Sequence, residues 1–504
     1  GYQAYSLLHT GKDYMGQNLP TYVHSLSEWR APLFIYATIP SVAIFGLNEW
    51  GVRGADALFG VLGVLLIYLL GKKLWNEKIG LFSALLLAIL PWHIHYSRAA
   101  FEVTLLLDLI LLGTLFFLDS IKSTKKLILS AVCFSLTFYT YSTATLFIPL
   151  FLALLWFTNK GSLATKKLTI FGSVFIIFLV PFLYQLFFGQ AGGRFSHISV
   201  FSDDTLIDRV NIERSETGDK SERLFHNKYI SWGKAVLVSY TRSFSPEFLF
   251  INGDPNPRHN VPQTGVFFWA YSILFLFGWI AYPNVKHKLL FLGWLLLSPL
   301  ASSLTRDGGV HATRLFIMIP PLVFFAAQGA NYLLDKRKTL LIFAFSFLVL
   351  NFSFYIHRYY THYPLQQFRY WNYGAKEAML AVADNQGNFD RVFINNTAEP
   401  TLLHYLFWSK YDPAKFQKEF TGDVPQDKIY KDFNGFKLGE KLYFGEIVGQ
   451  PYGFIEKGEL YLGAQLKEID GDWDLSTSAP GGIKVLNVTK NPKGQPVYSL
   501  ITKE

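Results

Sequence analysis

Apolar residues in this chain gather into long runs with few charges, separated by short polar segments. Runs of that length and purity predict membrane-spanning helices rather than one-sided surface helices. Ten spans are predicted, near 54–71, 79–95, 101–118, 127–142, 144–158, 168–188, 264–282, 289–304, 314–334 and 339–356. Leu127 to Thr158 carries no charge and could run on as one helix. Its middle, Tyr139-Thr-Tyr-Ser-Thr-Ala-Thr145, is polar and β-branched, which predicts a tight hairpin instead. Ahead of the spans, Ala4 to Gly11 suits a short helix closed by glycine. Ala31 to Phe45, broken by Pro32 and Pro40, predicts a helix lying in the interface. The chain opens on Gly1 with no charged leader before the first apolar stretch, which reads as a start within a longer protein.

Beyond His357 the long apolar runs stop and Asp, Lys, Asn and Gly rise. Arg391 to Asn395 predicts a strand, Pro400 to Lys410 a helix, and Gly482 to Val488 with Pro496 to Ile501 a closing strand pair. The fold class expected is a multi-span α-helical membrane protein with a small extracytoplasmic α/β C-terminal domain. Residues 1–53 would form an outer-face segment, 54–357 the spanning domain with a long outer loop at 189–263, and 358–504 the tail domain.

Composition agrees with the pattern. Of 504 residues, 51% are hydrophobic and only 16% charged, against about 25% charged in soluble domains. The net charge of +9 would suggest nucleic acid in a soluble protein, but here it has a plainer source. Lys72, Lys73 and Lys78 follow the first span, Lys122, Lys125 and Lys126 the third, and Lys160, Lys166 and Lys167 the fifth. Lys286 and Lys288 follow the seventh, and Lys336, Arg337 and Lys338 the ninth. Every second loop is basic, as cytoplasmic loops are. Gly1, the loop 189–263 and the tail therefore fall outside. No nucleic-acid partner is expected. The single cysteine, Cys133, permits no intrachain disulfide.

The outer loops carry the candidate chemistry. Pro91-Trp-His-Ile-His-Tyr-Ser-Arg-Ala-Ala-Phe-Glu102 joins the second and third spans. If the third span is helical from Arg98 onward, Arg98 and Glu102 share one face and can pair. Asp108 lies deeper in the same run, where a charge is costly and functional by default. On the same side lie Arg30, the segment Asp254-Pro-Asn-Pro-Arg-His259, and Thr305-Arg-Asp-Gly-Gly-Val-His-Ala-Thr-Arg314. Arg30, Arg98, Arg258, Arg306 and Arg314, with His311, form a rim suited to bidentate phosphate binding. A lone arginine there would be a headgroup-snorkelling residue. Several with histidines and a carboxylate imply an anionic substrate at the outer leaflet, its tail in the bilayer. A polyprenyl-phosphate sugar fits.

Several motifs carry a family resemblance. They are Tyr2-Gln-Ala-Tyr-Ser-Leu-Leu-His-Thr-Gly-Lys-Asp13, Arg30-Ala-Pro-Leu-Phe-Ile-Tyr36, Phe45-Gly-Leu-Asn-Glu49 with Arg53, Tyr96-Ser-Arg98, and Thr305-Arg-Asp307 with His311 and Arg314. In order and spacing they resemble the GT-C type membrane glycosyltransferases, in the branch of dolichyl-phosphate-mannose protein mannosyltransferases and aminoarabinose transferases. The resemblance covers nearly all of residues 1–356. It implies sugar transfer from a polyprenyl phosphate to a protein, lipid or cell-envelope glycan acceptor, on the outer face of a multi-pass cell-membrane protein, with no required cofactor. It implies a principal base, an aspartate, just upstream of Gly1, with the first span also upstream. By the same resemblance Arg30 matches the family's basic residue before proline, and Glu102 matches the second acidic position better than Asp108. Glu28 and His259 become a candidate divalent-metal pair. The alternative is a flippase or transporter of lipid-linked sugar, which would show repeated halves and midplane charges; no internal repeat is visible.

Overall fold

The computed structural model describes the chain except residues 27, 160–163, 190–191, 194–197, 218–220, 282–284, 397–399, 421, 423, 448 and 472. The chain folds as two compact units. One comprises Gly1–Arg30, Ile35–Val52 and Thr361–Glu504; the other comprises Ala31–Phe34 and Arg53–Tyr360.

The larger unit is helical. Its long elements begin with α3 (Glu49–Leu74), α4 (Glu77–Ala88), α5 (Pro91–Ala99), α6 (Val103–Asp119), α7 (Thr124–Leu136), α8 (Ala144–Thr158) and α9 (Thr165–Phe188), which follow α1 (Tyr2–Thr10) and α2 (Leu33–Phe45). Helices Ala270–Ala281, Val285–Leu297, Ile319–Lys336 and Lys338–His357 complete the set. Each predicted span is thus helical over most of its length, with 79–95 split into two helices. Four helices are long and apolar enough to cross a bilayer alone: Glu49–Leu74, Thr165–Phe188, Ala312–Lys336 and Lys338–Gln366. The pair α4 and α5 makes a fifth if its 60° bend lies within one span. Pro91 sits at the first position of α5, where its missing N–H breaks no helical bond but its ring stops α4 from running on. The run 127–158 is broken at 137–143, where a 3-10 turn at Thr137–Tyr139 separates α7 from α8.

Burial sorts the helices. Ala312–Lys336 is 83% buried along its apolar window, while Thr165–Phe188 is 6% buried, leaving Ile177, Phe187 and Phe188 bare. Exposed apolar surface of that extent is what a lipid-facing helix presents. Helices Ala270–Ala281 and Ile319–Lys336 meet at glycines: a methyl on Gly278 would fall 1.7 Å from the Phe325 carbonyl oxygen, and one on Gly329 1.9 Å from that of Leu274. Small residues permit such close backbone approach between membrane helices.

The basic loops gather at one end of this unit. Lys73 and Lys126 both pair with Asp119, and Lys167 Nζ donates to the Ser120 and Ile121 carbonyls at 2.9 and 2.7 Å. The turns after the first, third and fifth predicted spans are therefore neighbours.

The other unit is α/β. Its sheet runs β4-β5-β6-β3-β7-β9-β8, from β3 (Arg391–Asn395), β4 (Gln426–Tyr430), β5 (Phe433–Leu438), β6 (Leu442–Ile447), β7 (Glu459–Ala464), β8 (Ile483–Lys490) and β9 (Pro496–Lys503). β3 is parallel to both β6 and β7; the other pairings are antiparallel. The predicted strand at 391–395, helix at 400–410 and closing strand pair are all present. The N-terminal segment, read above as separate from the tail, packs into this unit. Tyr2 Oη donates to the Tyr411 carbonyl at 2.9 Å, and Gln417 Nε2 reaches Ser6, Thr10 and the Asp13 carbonyl. The short hairpin β1 (Val23–Ser25) and β2 (Glu28–Arg30) also belongs to it.

Candidate functional site

The stretch Pro91–Glu102 organises one end of the helical unit. Trp92 is buried edge-on against Phe248, Phe267 and Phe316. One turn later, Tyr96 stacks on Phe316 and its hydroxyl lies 2.8 Å from Thr313 Oγ1. His95 Nε2 sits 2.8 Å from the Arg258 carbonyl. α5 thereby pins both segments, 254–260 and 305–314. Ala100 then turns left-handed (φ 61°) and ends the helix. A non-glycine residue in that region marks a local constraint.

This break corrects one expectation. Arg98 belongs to α5 and Glu102 caps α6, so they share no helical face, and no ion pair joins them among the described residues. Arg98 instead lies over the rings of Tyr359 and Tyr360, 5.0 Å from each centroid, and donates to Tyr360 Oη at 2.7 Å. Glu102 is half-buried at the start of α6. Asp108 is buried deeper in α6, without a hydrogen-bond partner for either oxygen among the described residues; its Oδ1 is 2.9 Å from where a methyl on Gly63 would stand.

Around these lies a compact polar cluster. Asp254 is 6% exposed; its Oδ2 accepts from Ala312 N at 2.7 Å and lies 3.0 Å from His259 Nδ1, while Oδ1 accepts from Asn256 N at 2.8 Å. The rings of His259 and His311 are 4.7 Å apart. Arg314 Nη1 donates to Asp307 Oδ1 at 2.5 Å and Thr305 Oγ1 at 2.6 Å. Burial, with the charges of Arg314 and His259 beside it, pushes the His311 imidazole down to about 4, so it stays neutral and keeps a lone pair. Asp307 is held below the ordinary carboxylate range: burial would raise it, but the Arg314 hydrogen bond and charge prevail. Arg306 is aimed at the Ser199 and Ser202 carbonyls.

The metal expectation changes accordingly. The side chain of Glu28 lies outside the described residues, so the Glu28–His259 pair has no geometry here. His259 groups instead with Asp254 and His311, whose ligand atoms lie within 4.8 Å of one another. His311 Nδ1 is buried without a partner among the described residues. Two imidazoles and one carboxylate suit a first-row divalent ion, so the donor set fits. Arg30 closes β2 in the other unit. Sequence reasoning named Arg98 and Arg314 but missed what holds them, Tyr359–Tyr360 and Asp307; it also passed over Asp254 as a ligand. Asp254 lies five residues before His259 in a proline-rich turn, a signal available in the sequence.

Beside Arg306 runs an apolar groove of about 550 Å³, lined by Phe201, Tyr229, Trp232, Leu237, Leu300 and Leu304 among others.

The chain's own motifs can now be set against known proteins. Residues 29–185 match the dolichyl-phosphate-mannose-protein mannosyltransferase family. That segment carries Arg98 and Glu102 and ends before Asp254. The chain is similar to undecaprenyl phosphate-alpha-4-amino-4-deoxy-L-arabinose arabinosyl transferase 2 of Pseudomonas fluorescens Pf0-1, at 32% identity over 142 residues, 27% of this chain and 25% of that protein. The counterpart in strain Pf-5 is 33% identical over 132 residues, covering 24% and 22%. The chain thus spans about a quarter of the length of the curated relatives it matches. These matches bear out the resemblance to GT-C type membrane glycosyltransferases of the mannosyltransferase and aminoarabinose transferase family. Among solved structures, ArnT from Cupriavidus metallidurans bound to undecaprenyl phosphate aligns over 99% of this chain and 92% of its own, at 12% identity and TM-score 0.42. The Archaeoglobus fulgidus oligosaccharyltransferase tethered to an acceptor peptide aligns over 75% and 55%, at 14% identity and TM-score 0.44.

Proposed function

We propose that this protein transfers a sugar from a polyprenyl-phosphate donor to an acceptor at the outer face of a cell membrane. The observation that carries this reading is Arg314, fixed by Asp307 beside the Asp254–His259–His311 cluster, on the end of the helical unit that α5 also lines with Arg98. An acceptor hydroxyl would attack the anomeric carbon while the bond from that carbon to phosphate oxygen breaks. The lipid phosphate leaves with the electron pair, and Arg98 and Arg314 stabilise its growing charge. The hydroxyl proton passes to a carboxylate base at the rim, for which Glu102 is the candidate in this chain. A divalent ion held by Asp254, His259 and His311 would add positive charge at the phosphate. The apolar groove beside Arg306 is suited to the polyprenyl chain.

Orientation belongs to the same reading. The clustering of Lys73, Lys126 and Lys167 supports reading the opposite end as cytoplasmic. Residues 54–357 then form ten spans, and residues 1–53 and 358–504 are extracytoplasmic. Reporter fusions after Lys126 and Lys338 should read cytoplasm, and after Gly387 outside. A flippase of lipid-linked sugar is the competing reading, favoured by one observation, the buried Asp56 and Asp108 within the helices.

The deciding experiment is sugar transfer from a synthetic polyprenyl-phosphate sugar by the purified protein in nanodiscs. Arg98→Ala or Arg314→Ala should weaken donor binding by about 1.5–3 kcal/mol, as expected for a lost charge-assisted contact. Lysine should rescue only in part, because the planar fork is gone. Wild-type turnover in both alanine variants would sink the clamp; donor crossing the bilayer without transfer would favour the flippase.

A further inference from the structure

A second pocket lies far from the Asp254–His259–His311 cluster. The start of α3 meets the cluster's end of the helical unit through Asp56, whose Oδ2 accepts from Phe101 N at 3.3 Å. Leu74, at the other end of the same helix, lies roughly 27 Å along the axis at 1.5 Å per residue. There a pocket of about 410 Å³ opens between the α3–α4 turn and helices Ala270–Ala281 and Ile319–Lys336. Trp75 and Tyr332 give it ring surface, while Gln328, Asn331, Asp335 and Lys336 make about half of its lining polar.

Two polar atoms of these lining side chains lack partners. Gln328 is 3% exposed, and its Nε2 makes no hydrogen bond among the described residues. The same holds for Asn331 Oδ1, also a buried atom. Gln328, Asn331, Tyr332 and Asp335 are spaced three or four apart, so they form one stripe running toward the helix end. Gln328 is the buried end of that stripe, and Asp335 and Lys336 stand exposed at the mouth. Orphaned amide atoms among apolar helices cost stability and are rare, so two on one stripe, both lining a cavity, call for a ligand.

The pocket borders lipid-facing surface. Ala281 lines it, and the preceding Ile280 is bare. Trp279, also exposed, carries the Lys288 ammonium 4.7 Å over its ring. Exposed apolar and aromatic side chains with lysines beside them are what a membrane interface selects.

We propose that this pocket seats the headgroup of a phospholipid that joins a phosphate to a primary ammonium, as an ethanolamine phospholipid does.

Four groups select that chemistry. Gln328 Nε2 donates and Lys336 brings positive charge, so both suit phosphate oxygens. Asn331 Oδ1 and the Asp335 carboxylate accept, so both suit an ammonium with its three N–H donors. Lys78 Nζ lies 3.9 Å from Asp335, but both side chains are more than half exposed, and such a pair is worth little against a seated ligand. A trimethylated ammonium has no N–H to give Asn331. A glycerol headgroup brings no cation to Asp335. Trp75 and Tyr332 offer ring faces to the glycerol backbone, as aromatic side chains do at headgroup level. The acyl chains would leave past Ala281 and Ile280 into the bilayer. This site lies within the helical unit and does not rest on the sugar-transfer reading.

The test uses the full chain purified in dodecyl maltoside. Native mass spectrometry follows retention of palmitoyl-oleoyl phosphatidylethanolamine, phosphatidylcholine or phosphatidylglycerol. One phosphatidylethanolamine should be held about tenfold more tightly than either of the others. Asn331→Leu replaces an orphan amide with an apolar group of like size, so the chain should be as stable or more so, and the preference should fall about tenfold. Gln328→Met should weaken all three lipids about threefold or more, since each carries the phosphate. Arg98→Ala, which disables the donor clamp, should leave the preference intact, so the two sites fail separately. Equal retention of the three lipids, or a preference unchanged in Asn331→Leu, would overturn the site and leave water as the partner of these amides. Soluble glycerophosphoethanolamine bound as tightly as the lipid would overturn the lipid as occupant.

Discussion

His259 Nδ1 lies 3.0 Å from Asp254 Oδ2, and the same oxygen accepts the Ala312 amide. One carboxylate therefore orients an imidazole and ties two segments more than fifty residues apart. Asp254→Asn preserves the shape but loses the charge. Removing such an orienting or ligating carboxylate typically costs about 10–100-fold in metal affinity or activity. Zinc titration monitored by isothermal calorimetry should show that loss in Asp254→Asn and in His311→Ala. Unchanged zinc binding in both would remove the triad as a metal site.

Glu102 and Asp108 differ in access. Glu102 caps α6 at the rim, while Asp108 is 1% exposed. Glu102→Gln should lower single-turnover sugar transfer by roughly tenfold or more with donor binding nearly unchanged, the pattern of a contact made in the transition state. Asp108→Asn should cost less. The reverse ranking would move the chemistry deeper into the helices and strengthen the transporter reading.

The α/β unit should weaken as pH rises. Glu468 titrates at about 7 in the folded chain against an ordinary 4.5. A carboxyl raised on folding contributes its full stabilisation below about 4.5, and that contribution is lost as pH climbs toward 7. The loss is on the order of 3 kcal/mol. Exchange protection of β7 and β9, corrected for intrinsic rates, should fall across this window in the wild type. In Glu468→Gln it should stay flat; an equal slope in that variant would reassign the titration.

Gly329→Ala should loosen the helix pair at its closest approach. The new methyl would stand 1.9 Å from the Leu274 carbonyl oxygen, so the helices must move apart. Overpacking of that kind costs roughly 1–3 kcal/mol. Thermal melting in detergent should report a lowered Tm, whereas Gly172→Ala, with open space around it, should not. Equal Tm values would mean the contact adjusts freely.

The helices were legible because apolarity and length are local properties. Each predicted span is helical over most of its length, though 79–95 is two helices bent by 60°; the run 127–158 breaks at 137–143, beside the polar β-branched residues, and the predicted tail strand, helix and closing strand pair are present. The Arg98–Glu102 pairing was not legible. It assumed a continuous helix, and Ala100 adopts a left-handed conformation that no residue type at that position announces.

By itself the sequence determined which segments are helical, which loops are basic and which arginines and histidines line the alternate loops. Charge and hydropathy need no partner to act, so one chain of letters is enough to read them. Only the tertiary structure decided that Arg98 lies over the rings of Tyr359 and Tyr360, that Asp254 groups with His259 and His311, and that Tyr2 is tied to Tyr411. Those pairings depend on which surfaces meet after the chain has closed loops of tens to hundreds of residues, and packing geometry, not local preference, makes that choice.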